Sequence, residues 1–157
     1  MLSDAQRWSI ALAAIPIRFD LENPTLLGGA PRSDEAAQAA RELLGDWKLR
    51  DATGVHERIS SLLTRAKWPA WDTGRIPLIA GKAYLAGWLD ESAALDACLA
   101  AARVVQPQFT GWETYGAAYL DGRRRDRNKV SKAQHYVYRT LVLEHDGPWR
   151  LPWATPL

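Results

Sequence analysis

DESAALDACLAAARVVQP, residues 90–107, decides the fold. Ala94, Leu95, Cys98, Leu99, Ala102 and Val105 recur at spacings of three and four, which puts them on one face of a helix. Asp90 stands where an N-cap is needed, and Pro107 where a helix has to stop. The same Ala-, Leu-, Arg- and Glu-rich composition continues on both sides. No alternating β-branched run appears that would start a strand.

Towards the C-terminus, Thr110-Gly111-Trp112-Glu113 reads as a capping box opening a helix. Along that helix Trp112, Tyr115, Gly116 and Tyr119 share a face, and Gly122 is its natural terminator. A second capping box, Ser131-Lys132-Ala133-Gln134, predicts a helix to about Glu144. The tail GPWRLPWATPL, with three prolines and two tryptophans, reads as irregular and available to the surface. Towards the N-terminus, Asp72 caps a predicted helix over about 72–87; Pro77 lies early in it, so either its first turn is irregular or the helix starts near Ile76. Another covers 53–66, with Val55, Ile59, Leu62, Leu63 and Ala66 on its apolar face. A helix from Ser33 or Asp34 to about Leu44 stops at Gly45, and residues 20–33 read as a loop. The first helix runs from Asp4 to Ile15, with Pro16 ending it. The expectation is an all-α fold, one domain over residues 1–157, with about six to seven helices.

A chain of 157 residues is long enough to bury about two thirds of its surface without staples. Eight tryptophans stand against two phenylalanines, so aromatic anchors are expected at helix junctions. Cys98 is the only cysteine; no intrachain disulfide can form, and a reducing cytoplasm is the expected location. The apolar N-terminal stretch lacks a basic leader and a cleavage site and reads as a core helix. No apolar run is long enough to span a bilayer. Net charge is +2, unevenly placed. Residues 1–122 carry 12 Lys/Arg against 15 Asp/Glu, whereas residues 123–157 carry 8 against 3.

Three segments, AWDTGR at 70–75, AYLAGWLDESAAL at 83–95 and GWETYGAAYLDGR at 111–123, resemble a bacterial family of unknown function typified by the YbeU and YbeR proteins. Weaker likeness extends to LSDAQRWSIALAAI at 2–15 and GDWKLRDATGVHERISSLL at 45–63. The chain departs from the family pattern after residue 63, where a Gly-His-Arg element gives way to LLTRAKWPAWD. The resemblance implies an all-helical domain and no particular activity.

Two clusters are candidate sites. Trp71, Asp72 and Arg75, with Trp112, Tyr115 and Tyr119, form either a packed centre or a pocket in which the Arg75 fork takes a carboxylate or phosphate. The bland account makes Asp72 an N-cap and the aromatics a core stripe. Arg123, Arg124, Arg125, Arg127, Lys129 and Lys132 form either a solvated connector or a patch for an acidic partner. No aromatic interleaves with these charges, which argues against nucleic acid. His56, His135 and His145 lack zinc-site spacing, so no metal is expected. Cys98 on an apolar face reads as inert, and no P-loop, G-x-G-x-x-G or G-x-S-x-G is present.

With no catalytic constellation and no cofactor motif, the favoured reading is a non-enzymatic module that binds another protein, an acidic one given the charge asymmetry. A toxin-neutralising or chaperone-linked role enters by analogy only. The alternative is an enzyme or small-ligand binder using the Trp/Asp/Arg/Tyr cluster. A concave pocket at that cluster discriminates the two.

Overall fold

Short side chains set most of the helix starts. In the computed structural model, which describes residues 1–157, the Ser3, Ser33, Asp51, Asp90 and Ser131 side chains each accept a backbone N–H from the first turn they precede. The helices are α1 (Asp4–Ala11), α2 (Ala14–Phe19), α3 (Asp34–Asp46), α4 (Ala52–Thr64), α5 (Pro69–Asp72), α6 (Ile76–Leu85), α7 (Glu91–Val105), α8 (Trp112–Arg127) and α9 (Lys132–Leu143). Single 3-10 turns fill several junctions, and there is no strand. Eight helices exceed one turn, against the six to seven expected.

One of the extra helices comes from Pro16, which opens a helix rather than closing one; Pro77 opens α6 at Ile76, one of the two starts expected for it. Pro16 sits in the first turn of α2, after a break at Leu12 and Ala13, and Pro77 sits in the first turn of α6. First-turn N–H groups have no intrahelical acceptor, so proline there loses nothing. Gly45 is not a stop either. Helix α3 runs past it, and Lys48 takes the left-handed conformation with φ 64. Lys48 N–H then bonds to Gly45 O and Leu49 N–H to Leu44 O, both at 2.9 Å, which is the Schellman closure.

Two features of α8 also correct the sequence expectation. The Thr110 capping box does not form: Gly111 is the N-cap, and the Thr110 hydroxyl meets that of Thr114 at 3.4 Å. Gly122 does not end the helix, which continues to Asn128 in the left-handed region at φ 53. Asp121 pairs with Arg124 at 2.6 Å and Arg125 at 2.8 Å, the i,i+3 and i,i+4 contacts that carry a helix through a basic run. Residues 123–127 are therefore helix and not connector.

The core is a cluster of 33 buried residues with a smaller one of Ala13, Ile17 and Leu78. Helix α7 buries Ala94, Leu95, Cys98, Ala102 and Val105 against α6 and α1, while Leu99 is only half-buried. Helices α3 and α4 pack on α6, α8 on α5, and α9 on α2. The tail is irregular but is not a surface feature. Trp149 is buried, stacks on Trp112 with centroids 5.5 Å apart, and donates to the Ala11 carbonyl at 2.9 Å. Trp153 meets Trp8 at 4.8 Å and donates to Gln106 O at 3.1 Å. An indole N–H needs an acceptor when it leaves water, and the loop carbonyls supply it.

Candidate functional site

Where the α3–α4 pair and the α8 end both lean on α5 and α6, they leave a cavity of about 620 Å³. This is the size of a small-molecule site. Its floor comes from Ile15 and Pro16 of α2, Trp71 of α5, and Leu78 and Ile79 of α6. Its polar rim comes from elements far apart in sequence. Lys48 and Arg58 stand at the α3–α4 end; Arg75 follows α5; Arg123, Arg127 and Lys129 come from the end of α8. Six cations thus face one space with two acids, Asp20 and Asp46.

Trp71 organises the deep end. Its indole N–H donates to Asp126 Oδ2 at 2.8 Å, which fixes the ring. The Arg75 guanidinium carbon lies 4.0 Å from the ring centroid and that of Arg123 5.3 Å, within cation–π range. Tyr119 meets the same ring edge-on at 5.3 Å. Arg75 is held by the Trp71 carbonyl at 3.0 Å and by Asp72 Oδ1 at 3.3 Å. Burial lowers its pKa, against the opposing influence of Tyr119 and Asp72. A guanidinium keeps its charge in any protein, so the shift records a desolvated cation with incomplete compensation. Arg123 is less compensated still. Its Nε is buried without a hydrogen-bond partner, and it enters no ion pair. Asp20 at the rim has its carboxyl pushed above the usual range by partial burial and by Glu22, with Lys82 and Arg123 pulling the other way. Burial also pushes the Tyr119 hydroxyl above its usual range.

The two clusters read from sequence meet here in part. Trp71, Arg75 and Tyr119 line the cavity together with Arg123, Arg127 and Lys129. Asp72 does not. Its Oδ2 turns back to accept the backbone N–H groups of Lys67 and Trp68 at 2.8 and 2.9 Å, so it closes the start of α5 instead of capping a helix at its own position. Trp112 and Tyr115 belong to the core. Trp112 donates to Leu151 O at 2.7 Å, and Tyr115 to Leu12 O at 2.7 Å. Arg124 and Arg125 lie outside, on Asp121. Lys132 lies on a shallow groove of α9 with His135, Tyr136 and Arg139. Cys98 is fully buried, its thiol pushed up to about 12 by burial.

Phe19, Asp20, Asp46, Trp47, Lys48 and Arg58 were not singled out by the sequence. The one signal for them was local: a tryptophan next to a lysine just past the end of α3, in GDWKLRD at 45–51.

The model of the family described as "Protein of unknown function (DUF1266)" matches residues 30–153. The chain belongs to that family. The match takes in α3 through α9 and the tail tryptophans, and every cavity residue except Asp20 and those of α2. The likeness read at residues 2–15 lies outside it. No curated protein and no solved structure matches the chain. No helix is long and apolar enough to cross a membrane.

Proposed function

We propose that this member of the family is a non-enzymatic binding protein that takes a small anionic ligand in the cavity between α3–α4 and α8. One observation carries the reading: Arg75 and Arg123 are both laid on Trp71, and Arg123 has a buried Nε with no partner. The Nε is closed off from solvent, but the Nη groups of Arg123 make no bond to the protein, and a carboxylate or phosphate oxygen in the cavity gives this partly desolvated cation a charge-assisted bond. The lining holds no His, Cys, Ser or Thr, which favours binding over nucleophilic or imidazole-based chemistry. The features that favoured a protein partner already have partners within the chain. Arg124 and Arg125 are paired with Asp121, and the tail tryptophans pack onto Trp112 and Trp8.

The test is thermal unfolding with sodium pyrophosphate against sodium chloride at matched ionic strength. Pyrophosphate is expected to raise the melting temperature, with Arg123→Gln removing most of that rise. Equal effects of the two salts on the wild-type protein overturn the reading. If Arg123→Gln fails to fold, Lys129→Gln, at an exposed position on the rim, carries the same comparison.

A further inference from the structure

We infer that the ligand is a nucleoside polyphosphate: several linked phosphates seated on the α8 cations, with a planar base lying on the aromatic surface at the other end of the cavity. The inference rests on the anion-binding reading above and adds the organic half of the ligand.

The charge excess sets the acidic half. Arg75 and Arg127 are already paired with Asp72 and Asp126, and Arg75 spends Nε and Nη2 on the Trp71 carbonyl and Asp72. Lys48, Arg58, Arg123 and Lys129 line the cavity with no ion-pair partner and come from two separate parts of the chain, so several linked phosphates reach more of them than one carboxylate or one phosphate does. Arg123, laid on Trp71, is the guanidinium left to meet phosphate oxygens. There is no glycine-rich phosphate loop, so side chains rather than backbone N–H groups would hold the phosphates.

The aromatic half is set by the opposite wall. Trp47 ends α3, is only half-buried, and its carbonyl accepts from Arg58 Nη2 at 3.1 Å. Phe19 ends α2 and is 41 % exposed, although it is one of only two phenylalanines. Both line the cavity; Trp47 is half-buried and packs in part on the core, and Phe19 is exposed. Aromatic rings left open beside positive charge are the surfaces on which bases stack. The cavity volume suits one nucleotide and not a strand.

Calorimetric titration at constant ionic strength, in magnesium-free buffer, compares ATP, inorganic triphosphate and adenosine. ATP is expected to bind at least tenfold more tightly than triphosphate, with adenosine alone giving no measurable heat. Trp47→Ala is expected to bring ATP down to the triphosphate level and leave triphosphate unchanged. If ATP and triphosphate bind equally, the base is not read; the nucleotide inference fails while anion binding stands. If neither binds, the anion-binding reading fails as well. Should Trp47→Ala not fold, Phe19→Ser replaces it at an exposed position. Unchanged ATP affinity in that variant, alongside unchanged discrimination between ATP and triphosphate, counts against a base on this wall.

Discussion

Gly122 lies flush against Trp71. A Cβ on Gly122 would stand 2.6 Å from the Trp71 Cβ and 3.0 Å from that of Trp68, so α8 crosses α5 at a distance only glycine permits. Gly122→Ala sets two effects against each other. Alanine is the better helix former by about 1 kcal/mol, whereas overpacking costs about 1–3 kcal/mol. The obstructing atoms are two Cβ carbons anchored to backbone and not flexible ends, so overpacking wins. The denaturant midpoint is expected to fall. Because Arg123 follows directly, pyrophosphate affinity should fall too. A variant with an unchanged midpoint would mean that the helices separate easily and the cavity is not held by this contact.

Trp112 is the hub of the aromatic cluster, meeting Trp8, Tyr115, Trp149 and Trp153 with centroids between 4.7 and 6.1 Å. Trp112→Ala should cost about 3–5 kcal/mol, a large fraction of the roughly 5–15 kcal/mol that holds an ordinary domain together. Chemical denaturation followed by far-ultraviolet circular dichroism measures it. We propose that the chain is one folding unit, so wild type and variant should both unfold in a single transition. Two resolved transitions in the wild type would divide the chain.

The basic run separates into two groups by position. Arg124 and Arg125 sit on Asp121 in the open, where the pairs lower the Asp121 carboxyl below its usual range. Exposed pairs add little to stability. The double variant Arg124→Ser, Arg125→Ser is expected to keep both its melting temperature and its response to pyrophosphate. Arg127→Ser combined with Lys129→Ser should also keep folding, but should weaken pyrophosphate binding and flatten its dependence on salt. The reverse pattern would put the binding surface outside the cavity.

Alkali should unfold this protein sooner than its cation content suggests. Burial raises the pKa of both Tyr115 and Tyr119 above the ordinary tyrosine value, and the Tyr115 proton is used in the bond to Leu12 O. The unfolded chain releases these protons near pH 10 while the folded chain keeps them. The stability they contribute is therefore fully present below about pH 10 and is lost as pH rises above it. The limiting slope is about 1.4 kcal/mol per pH unit for each group. Denaturant midpoints between pH 9 and 11 read the slope, and Tyr119→Phe should make it shallower. A flat profile across that interval contradicts the burial of both hydroxyls.

The helical character was legible because α7 carries its apolar residues at strict spacing between Asp90 and Pro107, and because capping at Ser131 depends only on residues three apart. Local rules failed where the same residue type has two uses. Pro16 begins a helix instead of ending one, whereas Pro77, in the first turn of a helix that starts at Ile76, was legible. Gly122 reads as a terminator, but a tryptophan from another element needs its missing side chain. The cavity was half visible. Trp71, Arg75 and Arg123 drew notice as separate clusters, yet their meeting depends on α5 packing against α8. The α3–α4 wall was invisible because nothing in Trp47 or Arg58 alone shows what they face.

The tail tryptophans also bear on how the chain is made. Trp8 needs Trp153 beside it at 4.8 Å, and the Ala11 carbonyl waits for an indole N–H from 138 positions later. Synthesis proceeds from the N-terminus at about 5–20 residues per second. For most of translation, then, α1 emerges with its most apolar surface unfinished. A ribosome stalled before residue 149 would hold a nascent chain whose helices can form but whose Trp8 face stays open. Such a chain should be sensitive to protease until residues 149–153 leave the exit tunnel.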